Sequence, residues 1–367
     1  MHKIKVNLKS RSYNIIVGIN ILKLLGKLLR KLAIGNSAYI ITNSPVKKKY
    51  GTRLNQALKK SGFNAKFKVV PDSEKTKAME TAAAVIKDLA SYDRSRRIFI
   101  IAFGGGVIGD LASFIASIYK RGIPYIQIPT TLLAQVDSAI GGKTAVDLAQ
   151  GKNLVGTFYQ PRLVLSDVSI LKTLPLRQLK TGLAEVIKYG IIQDPYLFSY
   201  LEKKYKDVFN LKMASLEFIV SRCSAIKTGI VGRDEKEEKG VRTILNFGHT
   251  MAHAIEAAGG YSKYNHGEAV ALGMLAATSI SNRLGLLKNK DALRIGNLTK
   301  KIGLPTKIQG IAWQKIISAH YRDKKFIGIK NRFVLIKGIG KIKIVENVPL
   351  VIIKEVLREM GSELFFS

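Results

Sequence analysis

The sequence predicts an α/β fold with two domains: a Rossmann-like N-terminal domain over residues 1–175 and a mainly α-helical C-terminal domain over residues 176–367. Strand-like apolar segments alternate with amphipathic helices before Pro175, and helices predominate after it. A continuous apolar strand also runs directly into a glycine-rich turn and a helix, as in nucleotide-binding α/β domains. A chain of 367 residues has room for both domains.

The N-terminal domain shows the alternation that builds a parallel sheet covered by helices. Its inner strands are apolar throughout, which indicates burial on both faces. The predicted elements are strands at residues 3–7, 13–17, 38–42, 65–70, 97–103 and 125–128, and helices at residues 20–33, 45–60, 76–91 and from the glycine turn to Tyr119.

The glycine-rich turn GGGVIGD occupies residues 104–110. Glycines let the backbone approach a pyrophosphate, and the following helix N-terminus contributes amides and a positive dipole end. Asp110 either caps this helix or binds a ligand hydroxyl. Further on, Lys143 and Lys152 each follow a glycine, and Lys152 precedes Asn153. Lysines in such loops suit phosphate contacts, and the region therefore predicts a dinucleotide site with phosphate-binding residues beyond it.

The C-terminal domain carries isolated charges in apolar helices. Glu185 and Lys188 share one face of a helix at residues 176–193, and Lys227 lies in a helix at residues 214–231. A carboxylate in the stretch LAEVIKYGII needs a partner, either Lys188 or a metal ion. Further helices are predicted at residues 267–285 and 348–360, with a hairpin of strands at 331–337 and 341–346.

Three of the five histidines, His249, His253 and His266, lie within residues 241–268. His249 and His253 are four residues apart on one helix face, and His266 follows a break at Gly259 and Gly260. Imidazoles suit zinc, and a catalytic zinc site has three protein ligands and one open position. The spacing favours the helical pair but leaves open which two histidines bind the metal, with a carboxylate from elsewhere.

The charge balance is extreme, with 60 Lys and Arg against 26 Asp and Glu, and the formal net charge is +34. A nucleic-acid-binding protein is one interpretation. The lysines are scattered through amphipathic segments, however, so a solvated basic surface that attracts small anions is favoured, and no nucleic acid or membrane partner is expected. The single cysteine, Cys223, and the missing export signal and bilayer-spanning segment predict a cytoplasmic protein.

Several long motifs, in this order, resemble the 3-dehydroquinate synthase family of sugar-phosphate cyclases over nearly the whole chain. They are PDSEKTK at 71–77, GGGVIGD, IPTTLLAQVDSAIGGKTAVD, GKNLVGTFYQP, LAEVIKYG, LNFGHTMAHAIE and NHGEAVALGM. The resemblance implies an NAD-binding N-terminal domain, a C-terminal domain that holds a divalent metal (zinc or cobalt), and a homodimer.

The resemblance also implies the site residues. The metal ligands fall on Glu185, His249 and His266, which moves His253 to the substrate phosphate. Arg121 matches an arginine that reaches the neighbouring subunit's site. The other substrate contacts are Asp137, Lys143, Asn153, Lys188, Lys227, Arg242, Asn246 and one of Lys324 or Lys325. The implied NAD contacts are Asp72, Ser73, Glu74, Lys75, Thr76, Lys77, Gly106, Val107, Ile108, Gly109, Asp110, Thr130, Thr131, Lys143, Lys152, Ile170, Leu171, Lys172 and Thr173, with Asn43 on the adenosine side.

The implied activity is the second step of the shikimate pathway, conversion of 3-deoxy-D-arabino-heptulosonate 7-phosphate (DAHP) to 3-dehydroquinate and phosphate by a carbon–oxygen lyase. It proceeds by transient NAD-dependent oxidation, phosphate elimination, re-reduction, ring opening and aldol closure. One alternative is another cyclase, which makes an inosose or a valiolone. A second is a metal-dependent polyol or glycerol-phosphate dehydrogenase, which would release NADH.

Overall fold

The computed structural model describes residues 1–93, 97–322 and 331–361, which form two compact units. The first unit comprises Met1–Pro175 and Leu211–Lys236, and the second comprises Leu176–Asn210 and the described residues from Glu237 onward. The sequence division also falls after Pro175, but it assigns residues 211–236 to the C-terminal domain. The structure differs because the helix in this segment packs on the sheet of the first unit.

The first unit is built on a seven-stranded sheet with the order β1-β2-β9-β6-β5-β3-β4. β1 pairs with β2 in antiparallel orientation, and the other neighbours are parallel. A separate small hairpin consists of β7 and β8. The strands of this unit are β1 His2–Val6, β2 Tyr13–Gly18, β3 Ser37–Asn43, β4 Asn64–Val70, β5 Ile98–Gly104, β6 Tyr125–Pro129, β7 Val146–Leu148, β8 Gly151–Val155 and β9 Leu163–Asp167.

Helices cover both faces of this sheet, as continuous apolar strands require. On β3, Ile40 joins the core beneath α1 and α2, whereas Tyr39 and Ile41 join the core beneath α3 and α4. α7 packs along β1 and β2. The α-helices of the unit are α1 Leu25–Leu32, α2 Ser44–Lys59, α3 Met79–Tyr92, α4 Gly106–Ile118 and α7 Met213–Arg233.

The second unit is mainly helical. At its centre, α9 packs on both α5 and α8, and one antiparallel hairpin, β10–β11, also packs on α9. The elements are α5 Leu176–Ile192, α6 Pro195–Phe209, α8 His249–Ala258, α9 His266–Arg283, α10 Asn289–Ile302, α11 Trp313–Arg322, β10 Arg332–Gly338, β11 Lys341–Glu346 and α12 Leu350–Glu359. Along the described stretches of the chain, no helix combines the length and apolar character needed to cross a bilayer.

The predicted alternation is confirmed through β6, and so are the helix ending at Gly259 and the C-terminal hairpin. Strands β7, β8 and β9 were not predicted from the sequence. β9 is a five-residue strand whose partners, β2 and β6, come from distant parts of the chain. Its place in the sheet therefore depends on tertiary pairing, which local periodicity does not encode.

Candidate active site

The glycine-rich turn at residues 104–110 lies at the carboxyl edge of the parallel sheet. β3 is followed outward by β4 on one side, and the chain then returns to place β5 on the other side. The loops after β3 and β5 thus flank a point where the strand order reverses, which is the usual position of a nucleotide in open α/β sheets. Gly105 caps α4, and a Cβ there would lie 3.0 Å from Thr131 Cγ2. The tight turn brings the α4 amides to this edge.

Lys77 links three of the segments predicted to bind NAD. Its Nζ lies 2.5 Å from Asp110 Oδ2, in the first turns of α4, and donates a hydrogen bond to Asn153 Oδ1 on β8. Burial raises the pKa of Asp110, and the Lys77 charge offsets part of this effect. Asp110 does not cap α4, because Gly105 occupies the N-cap position and Asp110 is the fifth residue of the helix. Asp110 instead holds Lys77 beside the turn.

The remaining predicted NAD residues lie on loops of the same unit. Asn43 Nδ2 donates to Asp72 Oδ1 at 2.7 Å, which joins the loops after β3 and β4. Thr130 N donates to Gly104 O, and Thr131 Oγ1 accepts from Ala134 N. The 3-10 turn Val168–Thr173 contains Ile170, Leu171, Lys172 and Thr173. The loop after β4 contains Asp72, Ser73, Glu74, Lys75 and Thr76, with Lys152 Nζ 3.8 Å from Glu74.

The predicted metal ligands form a cluster in the second unit. Glu185 on α5, His249 on α8 and His266 on α9 offer donor atoms that all lie within 4.8 Å of one another. Glu185 Oε1 is 3.5 Å from His249 Nε2 and 3.4 Å from His266 Nε2. Lys188 Nζ lies 2.5 Å from the other oxygen, Oε2. One carboxylate oxygen thus faces both histidines while the second is held by a buried ammonium group.

Close helix contacts place these three side chains. Gly248, immediately before His249, has a φ of +78°, and a Cβ at Gly273 would lie 2.1 Å from Gly248 O. Gly267, immediately after His266, is equally tight, because a Cβ there would lie 2.4 Å from Thr181 O on α5. Each of the two histidines therefore begins a helix whose first turn lies against a neighbouring helix without an intervening side chain.

The two histidines differ in their electrostatics. Burial, reinforced by the charge of Lys188, lowers the pKa of His249 well below its ordinary value despite Glu185. Burial also disfavours a charged His266, but the contacts and charges of Glu185 and Glu256 outweigh it and raise the pKa of His266 to about 10. The two carboxylates therefore favour positive charge beside His266, and a bound divalent cation would supply that charge in place of a proton.

The predicted substrate residues form two groups, one in each unit. In the first unit, Lys227 Nζ lies 2.8 Å from Asp137 Oδ1, and Asp137 belongs to a π-helical turn, Ala134–Ser138. π-Helical turns of this kind are frequent at functional sites. Lys143, in the same unit, is exposed. Arg121 is also exposed, in the turn after α4, with a φ of +65°.

In the second unit, the buried Arg242 has its Nε 3.2 Å from Glu237 Oε1. Asn246 ends the same 3-10 segment, Val241–Asn246. The His253 ring lies 5.7 Å, between centroids, from that of His249 and is outside the three-residue cluster. Lys324 and Lys325 fall outside the described residues.

Two family models match successive parts of the chain. The model of the 3-dehydroquinate synthase N-terminal region matches residues 67–181, and that of the C-terminal region matches residues 182–326. The 3-dehydroquinate synthase of Desulforamulus reducens is 44% identical over 349 residues, which cover 95% of this chain and 97% of the relative. The chain belongs to the 3-dehydroquinate synthase family.

Two solved structures that contain bound groups are similar to this 3-dehydroquinate synthase family member. A 2-deoxy-scyllo-inosose synthase complexed with carbaglucose-6-phosphate, NAD+ and Co²⁺ is 29% identical, with a TM-score of 0.88 over 98% of this chain and 100% of that chain. The 2-epi-5-epi-valiolone synthase of Streptomyces hygroscopicus subsp. jinggangensis, with NAD+ and Zn²⁺ bound, is 27% identical, with a TM-score of 0.88 over 96% and 98%.

The donor set of this family member fits zinc or cobalt. One carboxylate and two imidazoles are a usual ligand set for a catalytic zinc, which keeps a position open for substrate. Each imidazole has its Nε2 towards Glu185 and its Nδ1 towards a carbonyl or carboxylate oxygen, so both rings are oriented as metal ligands require. The spacing favoured His249 and His253 as the two histidine ligands. This prediction was wrong for His253, because His266 completes the cluster with His249 and Glu185.

Sequence reasoning missed two groups around this cluster in the synthase fold. Glu256 lies 3.6 Å from His266, and the Phe247 carbonyl lies 3.2 Å from His249. The carbonyl has no side-chain signal. Glu256 had one, since it follows His249 by seven residues and His253 by three, which places it on the same helix face.

Proposed function

We propose that this chain is a phosphate-eliminating carbon–oxygen lyase that converts DAHP to 3-dehydroquinate and phosphate, in the shikimate pathway. The observation that carries the proposal is the Glu185–His249–His266 cluster, found in a chain with 44% identity to 3-dehydroquinate synthases over nearly its full length. When bound, the divalent metal supplies Lewis acidity and NAD supplies a reversible hydride acceptor. Because the hydride acceptor would be regenerated within one turnover, the expected net products are 3-dehydroquinate and phosphate, without NADH.

The proposed NAD site is the carboxyl edge of the parallel sheet. The amides at the start of α4 would hold the pyrophosphate, and Asn43 with Asp72, at the ends of β3 and β4, would contact the adenosine side. Lys77 joins the loop after β4, α4 and β8 through Asp110 and Asn153. These bonds fix the loop geometry before NAD arrives, which reduces the entropy lost on binding.

The remaining residues recognise an anionic, polyhydroxylated substrate. Arg242 is buried, and its planar guanidinium group suits the substrate carboxylate. The Lys227 ammonium orients the Asp137 carboxylate, which accepts a hydrogen bond from a substrate hydroxyl and can hold its proton. Lys188 forms an ion pair with Glu185, and phosphate and hydroxyl groups are bound by His253, Lys143, Asn153 and Asn246.

We also propose a cytoplasmic homodimer in which Arg121 enters the neighbouring subunit's site. An exposed arginine whose φ is held at +65° after a helix end is costly to keep without a role. In a two-fold symmetric dimer, the Arg121 of each subunit would enter the site of the other subunit, so both sites would be completed in the same way.

The deciding experiment follows phosphate release and absorbance of NADH together in protein loaded with zinc or cobalt, with DAHP and NAD+. Phosphate release without NADH accumulation, abolished by a chelator, is expected. NADH accumulation without phosphate release would identify a dehydrogenase instead.

A hexose phosphate that lacks the carboxylate serves as the matched substrate control. It should be poor for the native protein, and Arg242→Ala should lose activity on DAHP because the carboxylate then lacks its partner. Turnover of the hexose phosphate in preference to DAHP would indicate a cyclase of another specificity.

A further inference from the structure

Glu256 is a second buried carboxylate beside the metal cluster. It lies on α8 and follows His249 by seven residues and His253 by three, so the three side chains share one helix face. Its exposed fraction is only 9%. Burial of a carboxylate is costly unless nearby polar or positive groups stabilise it. Its position therefore calls for a role at the cluster.

The contact that defines this role is with His266. Glu256 Oε1 lies 3.6 Å from His266 Nδ1, while His266 Nε2 lies 3.4 Å from Glu185 Oε1. The two nitrogens of a single imidazole thus face two different carboxylates. The first distance is slightly longer than a hydrogen bond and closes with a shift of a few tenths of an ångström.

His249 shows the same division of its ring nitrogens. Its Nε2 lies 3.5 Å from Glu185 Oε1, and its Nδ1 lies 3.2 Å from the Phe247 carbonyl oxygen. A carbonyl oxygen accepts hydrogen bonds and never donates, so it selects the tautomer with hydrogen on Nδ1 and the lone pair on Nε2. Both rings therefore present Nε2 to the cluster, but a neutral carbonyl holds one and a carboxylate holds the other.

We propose that Glu256 is a positioning residue for the metal site: it accepts the Nδ1 hydrogen of His266, fixes Nε2 as the ligand atom and adds negative charge next to the bound cation. A carboxylate behind a ligand histidine makes the imidazole a stronger donor. This inference rests on the metal-binding part of the proposed function and not on the identity of the substrate.

The charges named at the site are consistent with this role. Glu185 is paired with Lys188 at 2.5 Å, so the formal charge of that pair is zero. Glu256 adds one negative charge on the far side of His266. A divalent cation held by the cluster would be stabilised by this charge, because the low dielectric of the interior strengthens the attraction.

The experiment measures the dissociation constant for Zn²⁺ by competition with a chromogenic chelator, without NAD or substrate. Glu256→Ala removes both the hydrogen-bond acceptor and the charge, and affinity should fall about 10–100-fold. Glu256→Gln keeps an acceptor oxygen but loses the charge. Its affinity for Zn²⁺ should lie between that of the native protein and that of Glu256→Ala. The visible spectrum of the Co²⁺-loaded variants reports whether the ligand geometry has changed.

Glu202→Gln is the matched control, because Glu202 on α6 pairs with Arg294 on α10, two helices of the same unit that contribute no residue to the cluster. It should leave zinc affinity unchanged. If Glu256 had only a structural role, its substitution would lower the thermal stability of the metal-free protein without changing zinc affinity or the cobalt spectrum. That result would overturn the proposal.

If Glu256→Ala does not fold, unchanged zinc affinity in folded Glu256→Gln is sufficient to overturn it. Because the readout is metal affinity, inactivity of the native protein on DAHP would refute the proposed function and leave this inference standing.

Discussion

At the scale of single residues, Glu185 fulfils two roles because its two carboxylate oxygens face different partners. Oε2 is held by Lys188, and Oε1 faces the Nε2 atoms of His249 and His266. All four groups come from the same unit, and the carboxylate is fully buried. A change at this position therefore affects both the metal ligand set and the buried ion pair.

We expect Glu185→Gln to abolish turnover by weakening metal binding, because an amide oxygen is a much poorer ligand for zinc than a carboxylate. The variant also leaves the Lys188 ammonium buried without its counter-charge, which should lower the free energy of unfolding by about 3–5 kcal/mol. Metal content after gel filtration and chemical denaturation measure the two effects. Glu355→Gln, which breaks an exposed pair with Arg283, is the control. A variant with full metal content and full turnover would contradict the ligand assignment.

We expect His253→Ala to retain its metal but to release phosphate more slowly, by about 10²-fold or more if the imidazole assists proton transfer. His253 lies on the α8 face beside His249 and outside the three-residue cluster. Rapid-quench measurement of phosphate, together with metal content, tests this expectation. His2→Ala, at an exposed position, is the control. Loss of metal from His253→Ala would instead support the helical histidine pair as ligands.

The sequence predicted that a metal site exists, but spacing alone did not define it. The pair His249 and His253 is a local feature, because residues four apart on a helix are recognised from the sequence alone. The third donor, His266, reaches the cluster only because the chain turns back after Gly259 and Gly260, and Glu185 arrives from another helix. The pair Asp137 and Lys227 is separated by 90 residues and likewise depends on tertiary packing. For both sets, motif resemblance supplied what periodicity did not.

At the scale of elements, the start of α9 is fixed against α5 by Gly267. A Cβ at this position would lie 2.4 Å from the Thr181 backbone oxygen, one turn before Glu185. We expect Gly267→Ala to push α9 away from α5, which would separate His266 from Glu185 and lower both zinc affinity and stability. Overpacking of this kind costs about 1–3 kcal/mol.

Gly229→Ala is a matched control for this prediction. Gly229 is exposed on helix α7, and nothing lies within 4 Å of its added Cβ. Alanine should stabilise the helix by about 0.5–1 kcal/mol there, with unchanged zinc affinity. Equal effects of the two substitutions on zinc affinity would mean that the α5–α9 contact does not position the ligand.

The same helix end makes stability dependent on pH. Glu268 forms a capping box with Asn265 and a two-bond pair with Arg177. Burial opposes ionisation of Glu268, but these bonds outweigh it and lower its pKa below the ordinary 4.5. The contribution to stability is therefore complete above about pH 4.5 and is lost as the pH falls through the lowered pKa.

Denaturation of the native protein and of Glu268→Gln across this range tests the effect. The difference in unfolding free energy between them should shrink on acidification, because glutamine preserves the uncharged part of the capping box. A difference that is constant with pH would show that the charge of Glu268 contributes nothing.

Element prediction from sequence succeeded where the pattern is local. Strands that alternate with helices through β6 were predicted from their own apolar runs, and so was the β10–β11 hairpin. β9 and the side on which α7 packs were not, because both depend on which distant strands they meet. The π-helical turn that carries Asp137 also has no local sequence rule.

At the scale of the whole molecule, a site completed by a neighbouring subunit can be recovered by mixing two inactive variants. We expect Arg121→Ala and Lys227→Ala each to be inactive and to regain about a quarter of native activity when co-expressed in equal amounts. Half of the dimers are then mixed, and each mixed dimer has one intact site. Two affinity tags allow the mixed dimers to be isolated and assayed.

The control pair is Lys227→Ala with Arg242→Ala, both of which are proposed to act within their own subunit. This pair should show no recovery, because each site in the mixed dimer lacks one residue. No recovery from the Arg121 pair in isolated mixed dimers would contradict the exchange of Arg121 between subunits.

The placement of α7 has a consequence for protein synthesis. The first unit includes residues 211–236, although residues 176–210 before them belong to the second unit. A ribosome therefore releases all seven strands of the sheet well before the helix that covers β1 and β2 has been made. Until Lys236 has emerged, the apolar surface beneath α7 stays open, and the nascent chain is exposed to aggregation or chaperone binding during this interval. A ribosome-bound fragment ending at 175 should thus remain protease-sensitive near β1 and β2, whereas one that extends beyond 236 should not.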